Sequence, residues 1–155
     1  MFIIVHTDKC TEIAQKIANE FEDTRLVPVM SALSDPESLG DFDNLGLVFE
    51  REGKDLPSSM QAFIKTVLSD YDLSGLQYMF SACVCEGSPA HALKIVEKLC
   101  ARVGCAPSLS TTVGPDATDE EIETLVGRIR SGEIQLAKGS LGTMWYMKAH
   151  GIKVK

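Results

Sequence analysis

The residues best suited to chemistry in this chain lie in one short stretch near its start, His6-Thr7-Asp8-Lys9-Cys10-Thr11. The stretch follows an apolar run and precedes a segment in which Ile13, Ala14, Ile17, Ala18 and Phe21 recur at helical spacing. A loop entering a helix N-terminus offers unpaired backbone N–H groups and the positive end of the helix dipole. With two hydroxyls and an ammonium added, it reads as a seat for a phosphate monoester. The plainer alternative is that Thr7 or Asp8 caps the helix while Lys9 stays in water. Cys10 falls in the first turn of that helix, where the dipole lowers a thiol pKa and favours the thiolate.

Other chemistries are excluded or weak on residue type. The five cysteines, at 10, 83, 85, 100 and 105, match no zinc or ferredoxin spacing. Their odd number, without a secretory signal, suggests reduced thiols in a cytoplasm. A zinc set drawn from His6, Cys10, Cys85 and His91 has no recognised framework, so no metal site is expected. A phosphatase-type loop is excluded because the five residues after Cys10 contain neither Gly nor Arg. A receiver-type phosphorylation site is a poor fit, since the third strand ends in Phe49-Glu50 and the fifth, Ser108 to Val113, has no Lys. No Ser-His-Asp arrangement can be inferred, and catalytic residues remain unassigned.

The elements that must position the loop alternate between short apolar runs and helix-period segments, the pattern of βα units. Phe2 to His6 is a continuous apolar run of the kind buried in a parallel sheet. A second strand is expected near Arg25 to Met30, followed by a polar connection, Ser31 to Asp41, with one helical turn at most. A third strand near Leu45 to Phe49 leads through a charged loop to Pro57 and a helix carrying Met60, Phe63, Ile64, Val67 and Leu68. The fourth spans Leu76 to Val84, and Ser88-Pro89 opens a helix that Gly104 closes. After a fifth strand near Pro107 to Val113, Thr118 and Glu121 form a capping box for a helix bearing Ile122, Leu125, Val126 and Ile129.

Crossovers of this kind imply an open parallel sheet with helices on both faces, in the order 2-1-3-4-5. Ligands of such sheets bind beyond the carboxyl ends of the strands, where strands 1 and 3 diverge from each other's connections. A chain of 155 residues is read as one domain, residues 1–155, since single cores use roughly 100–200 residues. The loops to inspect are therefore His6 to Thr11, Glu50 to Leu56 and Cys85 to Pro89.

Three motifs in order along Met1 to Gly114 resemble the flavodoxin superfamily, and in particular short flavodoxin-like proteins of anaerobic bacteria. These are Thr11-Glu12 before an apolar helix, Val48-Phe49 followed by Leu56-Pro57, and the small-residue turn Ala82-Cys83-Val84-Cys85-Glu86-Gly87-Ser88-Pro89. The resemblance implies a flavodoxin-like three-layer sandwich, noncovalent FMN and one-electron transfer, as a carrier or a small flavin oxidoreductase. Carried over by position, Thr7, Asp8, Lys9, Cys10 and Thr11 would surround the FMN phosphate. Phe49 and Glu50 would begin the loop on one side of the flavin, and Cys85, Glu86, Gly87 and Ser88 the loop on the other. Three departures stand against this: Lys9 replaces the usual Gly of the phosphate turn, Asp8 brings a like charge, and Glu50 to Asp55 lacks an aromatic residue to stack on the ring. The competing reading is a degenerate member that lost the cofactor and serves as an interaction module.

Charge adds a statement about partners. With 15 Lys and Arg against 22 Asp and Glu, the formal charge is −7, which disfavours nucleic acid. A basic redox protein is the expected partner. The last acid is Glu133, so residues 134–155 form a basic, aromatic tail with Lys138, Lys148, Lys153 and Lys155. Trp145 and its apolar neighbours are expected to dock on the body, with homodimerisation through the tail as the rival. No apolar run is long enough for a signal peptide or membrane span, so neither membrane contact nor secretion is expected.

Overall fold

The computed structural model describes all residues, 1–155. Five parallel strands form one sheet in the order β2-β1-β3-β4-β5. They are β1 (Phe2–His6), β2 (Thr24–Pro28), β3 (Asn44–Glu50), β4 (Tyr78–Val84) and β5 (Leu109–Val113). The helices are α1 (Thr11–Ala18), α2 (Val29–Ser34), α3 (Ser58–Ala62), α4 (Ala90–Arg102), α5 (Asp119–Arg130) and α6 (Leu141–His150). The expected sheet order is the observed one.

Side-chain alternation along each central strand divides the apolar residues between two cores. Ile3, Val5, Leu45, Leu47, Phe49, Met79 and Cys83 face Met60, Phe63, Val96 and Cys100 on one side of the sheet. Phe2, Ile4, Val48, Phe80 and Ala82 face Ile13, Ile17, Ile122, Leu125 and Ile129 on the other. Gly46 of β3 lies under the Phe80 ring, in space that a Cβ would occupy.

Two connections differ from the sequence expectation. The second strand stops at Pro28, and Val29 and Met30 open α2 instead of extending it. Val29 and Ala32 of α2 are buried, so tertiary burial stabilises a helix too short to form alone. The helix after Pro57 begins as α3, widens into a π-type turn over Phe63–Val67 and tightens over Leu68–Asp70. The capping box is present as read: Thr118 Oγ1 accepts from Glu121 N, and Glu121 Oε2 accepts from Thr118 N.

The tail is stitched to the body by backbone. Ser110 N donates to Gln135 O at 2.8 Å and Gln135 N to Ser108 O at 2.7 Å, which covers the outer edge of β5. At the chain's end, Lys155 N donates to Ala106 O and Met79 N to Lys155 O, each at 2.8 Å. Between these anchors, Met147 packs with Ala101 and Ala106. The expected docking of Trp145 does not occur: it is 64% exposed, and Leu141 and Met144 are exposed with it. A helix of mixed pattern has only one apolar stripe to bury, and here that stripe is Met147 alone.

Candidate functional site

Parallel register brings the β1 and β3 ends together, with His6 opposite Val48. Glu50, two residues further along β3, therefore overhangs the loop that leaves β1. Thr7 Oγ1 donates to Glu50 Oε2, and Cys10 Sγ donates to the same oxygen at 3.4 Å. Thr7 and Cys10 are buried, so the inner donors of the loop are engaged by the chain's own carboxylate.

The loop backbone is equally committed. Asp8–Cys10 forms a single 3₁₀ turn, in which Cys10 N donates to Thr7 O at 3.0 Å and Thr11 N to Asp8 O. No residue from 7 to 11 has positive φ. The buried His6 places Nδ1 2.9 Å from Thr7 O, to which it donates, and 3.5 Å from Thr11 Oγ1. Asp8 and Lys9 point outward, and Thr11 Oγ1 turns back to donate to Asp8 O at 2.9 Å.

Cys10 corrects the sequence reading. Burial pushes its thiol up to about 12, and the Glu50 charge adds to that rise while the Thr7 hydrogen bond opposes it. Desolvation of the thiolate outweighs the helix dipole. Burial also raises the Cys83 thiol, with Cys85 beside it. The group His6, Cys10, Cys85 and His91 does not come together as a metal cluster.

Across the rim, the loops after β3 and β4 are strapped to each other. The Arg51 guanidinium donates to Ser88 O at 2.9 Å and to Glu86 O at 3.0 Å. Gly87 turns between these two carbonyls at φ 82°, a conformation that suits glycine. His91 Nε2, in the first turn of α4, lies 3.2 Å from Asp55 Oδ1 and forms a second, exposed link to the loop after β3. Cys85 is half-buried, with Sγ 3.7 Å from Thr112 Oγ1. Phe49 is fully buried in the core and cannot flank a ligand.

The structure thus gathers Thr7, Cys10 and Glu50 at one point, and Arg51, Glu86 and Ser88 at another. As placed, these residues do not fit FMN. A phosphate would meet the Glu50 carboxylate where it needs donors, and the space between the two flanking loops is spanned by Arg51. Of the cavities of about 250 to 530 Å³, none is lined by Thr7, Cys10, Glu50 or Arg51, and the one of about 250 Å³ reaches Ser88, with Pro89, Ser110 and Thr112 beside it. Sequence reasoning named Thr7, Cys10 and Glu50 separately, and the structure joins them by hydrogen bonds; Arg51 it missed. The one available signal was an acidic and a basic residue adjacent at a strand end that faces two loops.

Charge at this end of the sheet is spread over two places. In the three loops Asp8, Glu50, Glu52, Asp55 and Glu86 are interleaved with Lys9, Arg51 and Lys54. A second group of acids, Asp116, Asp119, Glu120, Glu121 and Glu123, is exposed around the start of α5.

No protein-family model and no curated protein sequence matches the chain. Solved structures do. A flavodiiron core from Synechocystis sp. PCC6803 superposes with TM-score 0.62 at 14% identity, over 96% of this chain and 36% of that one. Rubredoxin oxygen:oxidoreductase from Desulfovibrio gigas gives 0.64 at 11% identity, over 94% and 36%. Oxidised flavodoxin 2 from Bacillus cereus gives 0.59 at 20% identity, over 84% of this chain and 97% of that one. The chain thus spans little more than a third of the first two proteins and nearly all of the third. It has the flavodoxin-like fold. No helix is long and apolar enough to cross a membrane.

Proposed function

We propose that this protein is a flavodoxin-fold interaction module whose cofactor rim is closed by its own side chains. The observation that carries this is the Glu50 carboxylate, held by the Thr7 hydroxyl and the Cys10 thiol in the seat a phosphate would need. The cluster from Asp116 to Glu123, at the carboxyl end of the sheet, is the surface that suits a basic segment of a protein partner. In this reading the fold supplies a rigid frame for that surface rather than a redox centre.

A second reading is favoured by the likeness to flavodoxins: FMN binds and the protein transfers electrons, as a carrier or an oxidoreductase. That requires Glu50 to withdraw from Thr7 and Arg51 to release Glu86 and Ser88. The flavin would then supply the redox chemistry and the protein its binding site.

The test is a visible spectrum of the purified protein followed by FMN titration, read by flavin fluorescence. A closed rim predicts a colourless protein with no saturable response. Flavin bands, or saturable quenching in the wild type, would overturn the closed-rim reading. Glu50→Ala combined with Arg51→Ser extends the test, since gain of binding only in that variant shows that these two side chains are the closure.

A further inference from the structure

Against an overall acidic composition, one face of the protein is cationic. Lys94, Lys98 and Arg102 follow at four-residue intervals along α4, which places them in one stripe. Between this stripe and α6 opens a cavity of about 370 Å³, lined by the three cations with Gly139, Thr143 and Tyr146. None of the three is paired: the ion pairs of the structure involve the N-terminus, His91 and Arg128.

Like charges at this spacing repel one another, and nothing in the chain relieves them. The acid nearest in sequence, Glu97, turns inward, where Ser110, Ala137 and Ser140 donate to its carboxylate. Gly139 keeps the space open: at φ 80° it carries no side chain where a Cβ would lie 3.2 Å from Lys94 Nζ. Beside the cavity, α6 exposes Leu141, Met144 and Trp145, and Lys148 Nζ lies 6.0 Å from the centre of the Trp145 ring.

We propose that the α4–α6 cavity is a binding site for a phosphate-bearing anion, held by Lys94, Lys98 and Arg102. A soluble phosphate compound would use the cations alone. A phospholipid headgroup in an anionic membrane surface would use the cations and the exposed apolar residues of α6 together. A second copy of the chain fits less well, because α4 and α5 cover opposite faces of the sheet, so a two-fold axis cannot set this face on the acidic start of α5 in both directions at once. The proposal is independent of whether FMN binds at the rim.

The experiment uses the full chain in two arms. Titration calorimetry with pyrophosphate reads the soluble source. Flotation with phosphatidylglycerol-containing vesicles, against pure phosphatidylcholine, reads the lipid source, with emission of Trp145, the single tryptophan, as a second signal. Binding in either arm should weaken at least about tenfold in the Lys98→Glu, Arg102→Glu double variant and fall as salt rises. Both side chains are exposed, and Lys65→Glu, on another exposed helical face, serves as the charge-matched control. Should the double variant fail to fold, Lys98→Gln with Arg102→Gln replaces it. Silence in both arms, or binding undiminished by loss of the two cations, would overturn the site.

Discussion

Glu97 is the least expected charge in the molecule, and removing it makes a demanding test of how the tail is held. Its side chain is 1% exposed, yet no cation accompanies it. Its Oε2 accepts from Ser110 Oγ at 2.6 Å and Ala137 N at 2.7 Å, and its Oε1 accepts from Ser140 Oγ. One side chain of α4 thus ties β5 to the segment that leads into α6. In Glu97→Ala the Ala137 N–H loses its acceptor, which costs about 1–3 kcal/mol for a buried donor. Ser140 keeps its bond to Ala137 O at 2.7 Å, so its loss is smaller, near ~1 kcal/mol. Ser110 loses a charge-assisted acceptor worth about 1.5–3 kcal/mol, while release from the carboxylate's own desolvation gives part of this back. The net expectation is a loss of about 3–5 kcal/mol, the range for breaking a buried ionic hydrogen-bond group. Urea unfolding measures the total, and amide exchange locates it: protection should fall first over Ile134 to Ser140, with β1, β3 and β4 unaffected. A loss below about 1 kcal/mol, or unchanged exchange in that segment, would refute the assignment of Glu97 as the clasp.

Two further outcomes follow from the packing and from the rim. Gly46→Ala should destabilise by about 1–3 kcal/mol, because the new Cβ would clash with Cζ and Cε1 of Phe80, whose ring is buried against Phe2; an unchanged melting temperature would show that the ring moves aside freely. Cys10 should resist thiolate-selective alkylation near neutral pH, with its rate climbing only as pH approaches the raised value of about 12. The unfolded thiol ionises first, so the Cys10 contribution to stability is fully present below the unfolded pKa, near 8.5 to 9, and declines as pH rises toward about 12. Rapid modification of Cys10 in the folded protein at neutral pH would contradict its burial.

Legibility from sequence tracked how local the determining physics was. The capping box at Thr118 and Glu121 and the helix stop at Gly104, which takes φ 106°, were readable because each depends on residues a few positions apart. The strands were readable as apolar runs, and βα alternation carried the sheet order. The helix from Val29 to Ser34 was not, since six residues with two buried ones carry no periodic signal of their own. Trp145 misled for the opposite reason: a large apolar residue is usually buried, but α6 meets the body through Met147. Glu97 had a faint signal, because it falls on the apolar stripe of α4 between Leu93 and Cys100.

By itself the sequence determined the class of fold, the place of the rim and the separation of an acidic body from a basic tail, because hydrophobic period, turn residues and net charge are properties of the chain in order. What the rim contains was decided only by tertiary structure. Glu50 and Thr7 lie 43 residues apart, as do Glu97 and Ser140, and each pair becomes a contact only when the chain returns on itself. The thiol of Cys10 follows the same rule: its place at a helix start favours ionisation, and the surroundings that the fold assembles around it reverse that preference.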